Sequence, residues 1–346
     1  YKMNHKFYMN RCLELAEKGK GNVAPNPMVG SVIVYQNKII GEGYHKLYGA
    51  PHAEVNAINS VKNKSLLKES RIYINLEPCT HFGKTPPCTD LIIREGIPHV
   101  IIGVKDEHDK VAGKGIEKLK KSGVKVEVGV EQEKCLQLNK RFFKFHTQGI
   151  PFIILKWAES NDGFIARTDL AIKNGESNKI TGQKSNHYVH QQRAQEQAIL
   201  VGKNTIQIDN PFLTTRLSNG KSPIRVVISS DPIESRKFNV LNNDGVSTLL
   251  FNKKINSKKE NKEWIQFDGT LKSVLRGLAQ REIQSVIVEG GSIIINQFIN
   301  ENLWDEAYSF IGDIEFNDGK EAPKIRKSPS FKKQIGNDTL LVYYNQ

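Results

Sequence analysis

The chain has 346 residues, enough for two domains, and its 38% hydrophobic and 25% charged residues are ordinary for a globular protein. No apolar run reaches the roughly 18 residues that span a bilayer, and charges interrupt the first residues, so we expect a cytoplasmic protein without a membrane segment. The net charge of +13 raises nucleic acid as a partner, but the basic residues are scattered among acids without aromatic side chains that stack on bases, so none is expected.

The first part of the chain alternates between helix and strand patterns. A helix is predicted over 5–18, strands over 31–35 and 38–43, a helix over 53–62 and a strand over 71–76. Further on we predict a helix after Cys88, a strand at 99–104, a helix at 115–121, a strand at 124–128 and a helical stretch from about 131 to 146. Gly149 and Pro151 then interrupt the pattern, which predicts domains at 1–147 and 148–346.

His52-Ala53-Glu54, Pro78-Cys79 and Cys88 carry the strongest chemical signal. One imidazole and two thiolates suit Zn²⁺ and leave a fourth position for water, whose pKa zinc lowers to about 7. Glu54 need not bind the metal and can move a proton between that water and a leaving amine. Both metal-bearing segments lie where a helix is expected to begin, which favours thiolate. This order of residues is the signature of zinc deaminases that act on nucleobases.

The spacing of the two cysteines narrows the class of deaminase. Deaminases of free nucleosides and of nucleic acid usually have Cys-x-x-Cys, whereas eight residues separate Cys79 from Cys88 here. The string from Glu77 to Cys88 closely resembles the deaminase half of the bifunctional riboflavin-biosynthesis deaminase/reductase family. The remaining cysteines, Cys12 and Cys135, are predicted to be small core residues.

The second part of the chain also alternates between strand and helix. Strands are predicted at 152–157, 198–201, 224–229, 247–251, 285–289 and 304–311, with helices at 183–195, 271–280 and 292–301. The polar segment 252–263 is predicted to be an exposed loop. No Gly-x-Gly-x-x-Gly is present, but Glu289-Gly290-Gly291 joins a strand to a helix N-terminus, where backbone N–H groups can meet a phosphate. A purely structural turn is the alternative.

Three strings in this part, at 156–163, 175–181 and 201–216, resemble the reductase half of the same family. That half resembles dihydrofolate reductase in fold and uses NADPH. The fold class implied is α/β with two domains, a cytidine-deaminase-like α/β/α zinc domain and a dihydrofolate-reductase-like α/β domain.

The resemblance also implies roles for individual residues. The zinc ligands, one ion per chain, would be His52, Cys79 and Cys88, with Glu54 as the catalytic residue. Contacts with the deaminase substrate would come from Asn26, His81 and Lys84, although Asn26 between two prolines can also be a turn residue. Contacts with the reductase substrate would come from Ser177, Arg193, Leu213, Arg216 and Glu289. NADPH would be held by Ala158, Lys179, Thr205, Asp209, Gly290, Gly291, Ser292 and Gln297.

The function implied is a pair of successive reactions on a phosphorylated pyrimidine. The first domain would remove an amino group from a pyrimidine bearing a ribosylamino 5-phosphate, and the second would reduce the ribose to ribityl with NADPH. Arg193 and Arg216 make chemical sense as a clamp on the phosphate. We expect a homo-oligomer.

Two alternatives remain open from the sequence. The chain could be a nucleic-acid deaminase with 148–346 as a binding module, as the basic charge favours. The second domain could instead be a non-catalytic scaffold, because Asn161 and Lys179 stand where the family usually has Leu and Trp.

Overall fold

The computed structural model describes residues 4–80, 86–107, 112–234 and 237–345. The chain divides into two compact units between Gly149 and Ile150. The division falls two residues after the predicted boundary, because the last helix of the first unit continues through Gln148. Gly149 ends that helix with φ of 68°, a left-handed conformation that glycine adopts without strain.

The first unit contains a five-stranded sheet between two layers of helices. Its helices are α1 (His5–Glu17), α2 (Ala53–Ser60), α3 (Cys88–Arg94), α4 (Lys114–Lys121), α5 (Gln132–Leu138) and α6 (Lys140–Gln148), with a 3₁₀ helix at Lys64–Glu69. Its strands are β1 (Gly30–Tyr35), β2 (Lys38–Tyr44), β3 (Arg71–Leu76), β4 (His99–Val104) and β5 (Lys125–Val128).

The order of the strands in this sheet is β2-β1-β3-β4-β5. β1 is antiparallel to both of its neighbours, β2 and β3, whereas β3, β4 and β5 are parallel to one another. One apolar core lies under α1, α5 and α6, and a second lies on the opposite face under α2 and α3. Since both faces are covered, β3 and β4 are nearly continuous apolar runs, as expected of buried parallel strands.

The predicted helical stretch at 131–146 is two helices instead of one. The break is at Asn139, whose side chain accepts the Met28 N–H at 2.8 Å and donates to the Met28 carbonyl at 2.9 Å. This pair of bonds ties the helical region to the loop before β1. Helical periodicity alone does not show the break, because it depends on a residue 111 positions away in sequence.

The second unit is built on one large sheet. Its helices are α7 (Asp169–Lys173), α8 (Gln183–Arg193), α9 (Lys203–Asp209), α10 (Leu271–Ala279) and α11 (Ser292–Asn300), with a 3₁₀ helix at Asn239–Leu241. Its strands are β6 (Phe152–Ser160), β7 (Phe164–Ala166), β8 (Ala198–Gly202), β9 (Ile224–Ile228), β10 (Thr248–Asn252), β11 (Ser257–Lys259), β12 (Lys262–Gln266), β13 (Ser285–Val288), β14 (Glu306–Gly312), β15 (Lys320–Glu321), β16 (Phe331–Ile335) and β17 (Asp338–Tyr344).

The large sheet has the order β11-β12-β10-β9-β8-β13-β6-β14-β17-β16. The seven strands from β12 to β14 are parallel, and the strands outside them at both ends are antiparallel. The carboxyl ends of the parallel strands meet at one edge, where ligands bind in open α/β sheets. The α/β architecture predicted for both halves of the chain is therefore present.

The prediction of a loop at 252–263 is wrong. The segment forms the hairpin of β11 and β12 at the edge of the large sheet, where β12 pairs with β10. The charged composition conceals the strands because an edge strand tolerates lysines that a central strand does not. Lys262 is nevertheless only 8% exposed. No described helix is both long and apolar enough to cross a membrane.

Candidate functional sites

His52, Cys79 and Cys88 meet at one point in the first unit. The ligand atoms of the three residues lie within 4.8 Å of one another. His52 Nδ1 is 3.6 Å from Cys79 Sγ and 3.4 Å from Cys88 Sγ. Ligands of a tetrahedral zinc ion are separated by about 3.6 Å for the usual Zn–N and Zn–S bond lengths. The donor set and its spacing therefore fit zinc with three protein ligands.

Each of these ligands is positioned by the end of a regular element. His52 is the N-cap of α2 and Cys88 is the first residue of α3, as predicted from the sequence. Cys79 follows β3 in the chain, and its carbonyl accepts the Thr89 N–H at 3.2 Å and the Thr89 hydroxyl at 3.1 Å. Cys79 is thus anchored to the first turn of α3.

The environment of Cys79 favours its thiolate form. The Cys88 N–H, at the start of α3, donates to Cys79 Sγ at 3.4 Å. Hydrogen bonds from Cys88 and then from His52 outweigh the effect of burial and lower the pKa of the Cys79 thiol to about 4. Because thiolate is the form that binds zinc, this environment prepares Cys79 as a ligand, whereas the hydrogen bond with Cys79 and burial raise the pKa of the Cys88 thiol.

Glu54 lies beside the metal ligands but is not one of them. It occupies the first turn of α2 and is 3% exposed, and burial raises the pKa of its carboxyl. A raised pKa suits a group that must both take and release a proton near neutral pH.

Gly43 allows α2 to pack directly on β2, since a Cβ there would lie 2.3 Å from the Ala57 nitrogen.

Asn26 is connected to this site through a residue that sequence reasoning missed. Its Nδ2 lies 3.0 Å from His45 Nε2, and His45 Nδ1 donates to the Pro51 carbonyl at 3.1 Å. The His45 ring is 5.4 Å from the ring of His52, and burial lowers the pKa of His45, which keeps it neutral. Nothing in the local sequence singles out His45. His81 and Lys84 lie outside the described residues, so their contacts stay predictions.

Glu77 is a second residue for which the sequence predicted no role. Its carboxylate is 4% exposed and accepts four backbone N–H groups, those of Asp106, Gly113, Gly115 and Ile116. The first residue of the Glu-Pro-Cys string therefore anchors the cysteine loop to the start of α4.

The second unit contains a buried charged cluster at the carboxyl end of β13. Arg193 binds the Glu289 carboxylate through two hydrogen bonds of 2.8 Å, and Lys156 Nζ lies 3.4 Å from the same group. Burial alone would raise the pKa of Glu289, but the charges of Arg193 and Lys156 hold it at about 2. Arg193 therefore faces Glu289, and its predicted part in a phosphate clamp stays a prediction. No local pattern marks Lys156 as a member of this cluster.

Leu213 and Arg216 lie on the loop that follows α9. Leu213 is buried and has φ of +54°, a strained value for a branched side chain. Arg216 is exposed and its guanidinium lies 5.1 Å from the centre of the Phe212 ring. The Leu213 side chain of this loop is thus buried, whereas the Arg216 side chain is exposed.

Part of the predicted cofactor set lies together at the start of α11. Thr205 Oγ1 accepts the Gly291 N–H at 3.2 Å. A Cβ at Gly291 would lie 3.6 Å from Lys320 Nζ, so backbone, hydroxyl and cation face one space. These groups fit a phosphate. Asp209 ends α9, the helix that carries Thr205.

A cleft of about 700 Å³ lies along α11 from the same point. It is lined by Ser292, Asn296, Ile299, Asn300, Lys320, Glu321, Ala322, Lys324 and Arg326. The three basic residues of this lining had no signal in the sequence, because Lys320 lies in the two-residue strand β15 and Lys324 and Arg326 follow it outside any helix or strand.

Other predicted residues lie apart from the start of α11. Gln297 donates to Glu301 farther along the helix, and Ala158 packs among apolar residues between β6 and α8. Ser177 Oγ accepts the N–H of Lys179 in the exposed stretch after α7. In the part of the chain that the structure describes, neither the Ser177 nor the Lys179 side chain forms a hydrogen bond or ion pair with Arg193, Arg216 or Glu289.

Comparison with known proteins identifies both halves. The family model of the cytidine and deoxycytidylate deaminase zinc-binding region matches residues 2–104, and that of the RibD C-terminal domain matches residues 151–316. The riboflavin biosynthesis protein RibD of Aquifex aeolicus is 38% identical, with 98% of each chain covered. RibD of Escherichia coli is 34% identical, with 98% of this chain and 99% of that protein covered. This chain belongs to the RibD family.

Solved structures agree with this membership. A diaminohydroxyphosphoribosylaminopyrimidine deaminase/5-amino-6-(5-phosphoribosylamino)uracil reductase of Thermotoga maritima has a TM-score of 0.86 and 36% identity, covering 98% of this chain and 97% of that one. RibD of Acinetobacter baumannii has a TM-score of 0.89 at 28% identity, with 98% of both chains covered.

Membership of the RibD family confirms the predicted class of enzyme. The chain is a bifunctional enzyme of riboflavin biosynthesis, with a zinc-type deaminase domain followed by a reductase domain. The match over 151–316 identifies the second half as a RibD C-terminal domain instead of a nucleic-acid-binding module.

Proposed function

We propose that the first domain hydrolytically deaminates 2,5-diamino-6-(5-phosphoribosylamino)pyrimidin-4-one and that the second reduces the ribosyl side chain of the product to ribityl with NADPH. The observation that carries the proposal is the triangle of His52, Cys79 and Cys88 with buried Glu54 beside it, in a chain of the RibD family. The similar protein of Thermotoga maritima is named for a deaminase and a reductase of the same kind.

In the deaminase domain the three ligands hold one zinc ion per chain. Zinc, when bound, supplies a Lewis acid that activates water at neutral pH. Glu54 takes a proton at its carboxylate and returns it to the departing amino nitrogen, which leaves as ammonia. The raised pKa of Glu54 supports this role, because a carboxyl with an ordinary pKa is a poor proton donor at neutral pH. Asn26, His81 and Lys84 contact the substrate.

In the reductase domain two groups of residues divide the work. NADPH, when bound, supplies the hydride. Gly290, Gly291 and Ser292 at the start of α11 would hold its phosphates, with the Thr205 hydroxyl and the basic residues of the adjoining cleft beside them. Asp209, Ala158, Lys179 and Gln297 complete the cofactor contacts.

The reductase substrate lies against Ser177, Leu213 and the charged residues of the site. Glu289 stays ionised at neutral pH because of Arg193 and Lys156, so it accepts hydrogen bonds from ribose hydroxyl groups. Arg216, on the exposed side of its loop, binds the phosphate. We further propose a cytoplasmic homo-oligomer whose partners are phosphorylated pyrimidines.

The two activities are tested in one preparation. Incubation with the diaminopyrimidine should release ammonia, and NADPH should then be oxidised only after that release. Ammonia release without NADPH oxidation would mean that the second domain is a non-catalytic scaffold. NADPH oxidation that starts before any ammonia appears would contradict the order of the reactions.

A further inference from the structure

Two histidines on α8 face the loop at 212–217. His187 Nδ1 lies 2.6 Å from the Leu217 carbonyl oxygen, and His190 Nδ1 lies 2.9 Å from the Arg216 nitrogen. Because they are three residues apart on a helix, both rings lie on one face.

The chemistry of the backbone assigns opposite tautomers to the two rings. A carbonyl oxygen only accepts, so His187 donates from Nδ1, and its Nε2 accepts from Gln191 at 3.1 Å. An amide N–H only donates, so His190 Nδ1 must be an unprotonated acceptor. His190 is 6% exposed, and burial together with Arg193 and Arg216 lowers its pKa to about 4, so it is neutral over the working range of pH.

The rest of the loop is held by other hydrogen bonds, including one from the Thr215 N–H to the Ser222 hydroxyl at 3.1 Å. Arg193 donates to the Thr214 carbonyl at 3.2 Å. Arg225, which is fully buried and paired with Asp244, donates to the Phe212 carbonyl at 2.8 Å. Among these anchors His190 is the one that accepts the Arg216 N–H, and the Leu217 N–H lies 3.5 Å from the same ring nitrogen.

The side chain of Arg216 is available for a ligand. It is exposed and lies against the Phe212 ring, and it pairs with no carboxylate among the residues that the structure describes. A guanidinium held this way suits an anionic group such as a phosphate.

We propose that His190 is a positioning residue of the reductase domain, whose Nδ1 holds the Arg216 backbone so that the guanidinium meets the phosphate of the substrate. This inference rests on the proposed reductase function. His187 is the weaker of the two anchors, because its bond to Leu217 is exposed to water.

The test compares His190→Leu with His190→Asn. The Asn Oδ1 lies at nearly the position of His Nδ1 and can accept the Arg216 N–H, whereas Leu cannot. We expect His190→Leu to raise KM for the phosphorylated product of deamination about tenfold, the loss of one hydrogen bond, while kcat and KM for NADPH change less than about twofold. His190→Asn should stay within about threefold of wild type.

Three controls accompany these variants. Ammonia release by the first domain of the same chain should not change. Asn186→Ala removes an exposed side chain of α8 whose hydrogen bond among the described residues is to Thr181, and it should leave every constant unchanged. Binding of ribose 5-phosphate, measured by calorimetry, should weaken in His190→Leu by the same factor as KM.

The outcomes separate the inference from the function on which it rests. The inference is overturned if KM for the phosphorylated product is unchanged in His190→Leu. It is also overturned if KM rises equally in the Leu and Asn variants, or if only kcat falls. If His190→Leu does not fold, His190→Gln replaces it, since the Gln oxygen lies near Nε2 and should fail where Asn succeeds. If wild type binds ribose 5-phosphate but oxidises no NADPH, the proposed function fails, and the effect of His190→Leu on that binding still decides this inference.

Discussion

The deaminase site and the reductase site are built in different ways. The deaminase site consists of four side chains, three of which occupy the first turns or caps of α2 and α3. The reductase site draws on four elements and the loops between them, and much of it is backbone. Glu54 is 3% exposed, whereas the side chains of Glu289, Arg193 and Lys156 are 8%, 12% and 16% exposed.

The difference follows from what each site has to bind. A zinc ion is small and requires three ligands in a rigid triangle, which two helix starts and the segment after β3 supply. A dinucleotide and a sugar phosphate are long and anionic, so they need N–H groups and cations spread over a wide surface. Loops can supply these groups.

The largest expected effect comes from substituting Glu54, the residue proposed to transfer a proton in the deaminase site. Glu54→Gln should lower ammonia release by at least about 10²-fold, because general acid–base catalysis contributes that much, while bound zinc and NADPH oxidation are retained. The measurement is initial rates of both reactions together with metal content.

Glu77→Gln is the matched control for that variant. Glu77 is equally buried, and among the described residues it accepts hydrogen bonds from backbone N–H groups, so its loss should lower the stability of the first unit and leave the rate per folded molecule close to wild type. Equal catalytic losses in the two variants would remove the special role of Glu54.

The next largest effect concerns the ion pair of Arg193 with Glu289 in the second unit. Arg193→Met should destabilise the second unit by about 3 kcal/mol, because it leaves a buried carboxylate with Lys156 as its remaining partner. All three tryptophans of the chain, Trp157, Trp264 and Trp304, belong to this unit, so fluorescence during urea unfolding reports on it alone.

Arg281→Met provides the comparison for an ion pair with more solvent around it. Its pair with Glu263 is 27% and 29% exposed, against 12% and 8% for Arg193 and Glu289, so we expect a loss of at most about 1 kcal/mol. Similar losses in both variants would show that burial does not set the strength of these pairs here.

The same cluster predicts how the second unit responds to acid. The pKa of Glu289 is about 2 when folded, below its ordinary value, so its contribution to stability is present at neutral pH. That contribution, about 3 kcal/mol, is lost as the pH falls from about 5 to 2. The unfolding free energy, followed by tryptophan fluorescence, should depend less steeply on pH in Glu289→Gln over this range. The change in slope should correspond to the uptake of one proton fewer on unfolding. A profile with the wild-type slope would place the titrating group elsewhere.

The smallest expected effect concerns the exposed part of the cofactor site. Lys179 stands where the family commonly has Trp, and Lys179→Trp should lower KM for NADPH about threefold by adding aromatic contact area. Lys173→Trp adds the same ring to an exposed lysine on α7 and should have no effect. Equal changes in the two variants would mean that Lys179 lies away from the cofactor.

The sequence was most informative where chemistry depends on residues close together in the chain. His52 and Glu54 are two residues apart, and Cys79 and Cys88 lie at the ends of one loop, so residue type and spacing together indicated the metal site. Most helices and strands also followed from their periodicity. The hairpin of β11 and β12 escaped because its lysines conceal an edge strand.

Contacts between residues that are distant in sequence were accessible only from the tertiary structure. Asn139 divides a helix by bonding Met28, His45 connects Asn26 to the region of His52, and His190 holds the backbone of Arg216. None of these residues has a local pattern that marks it, because each acts through a partner that only folding brings within hydrogen-bond distance. The sequence alone determined the family, the metal chemistry and most elements of both domains. The tertiary structure decided which side chains hold those groups in place.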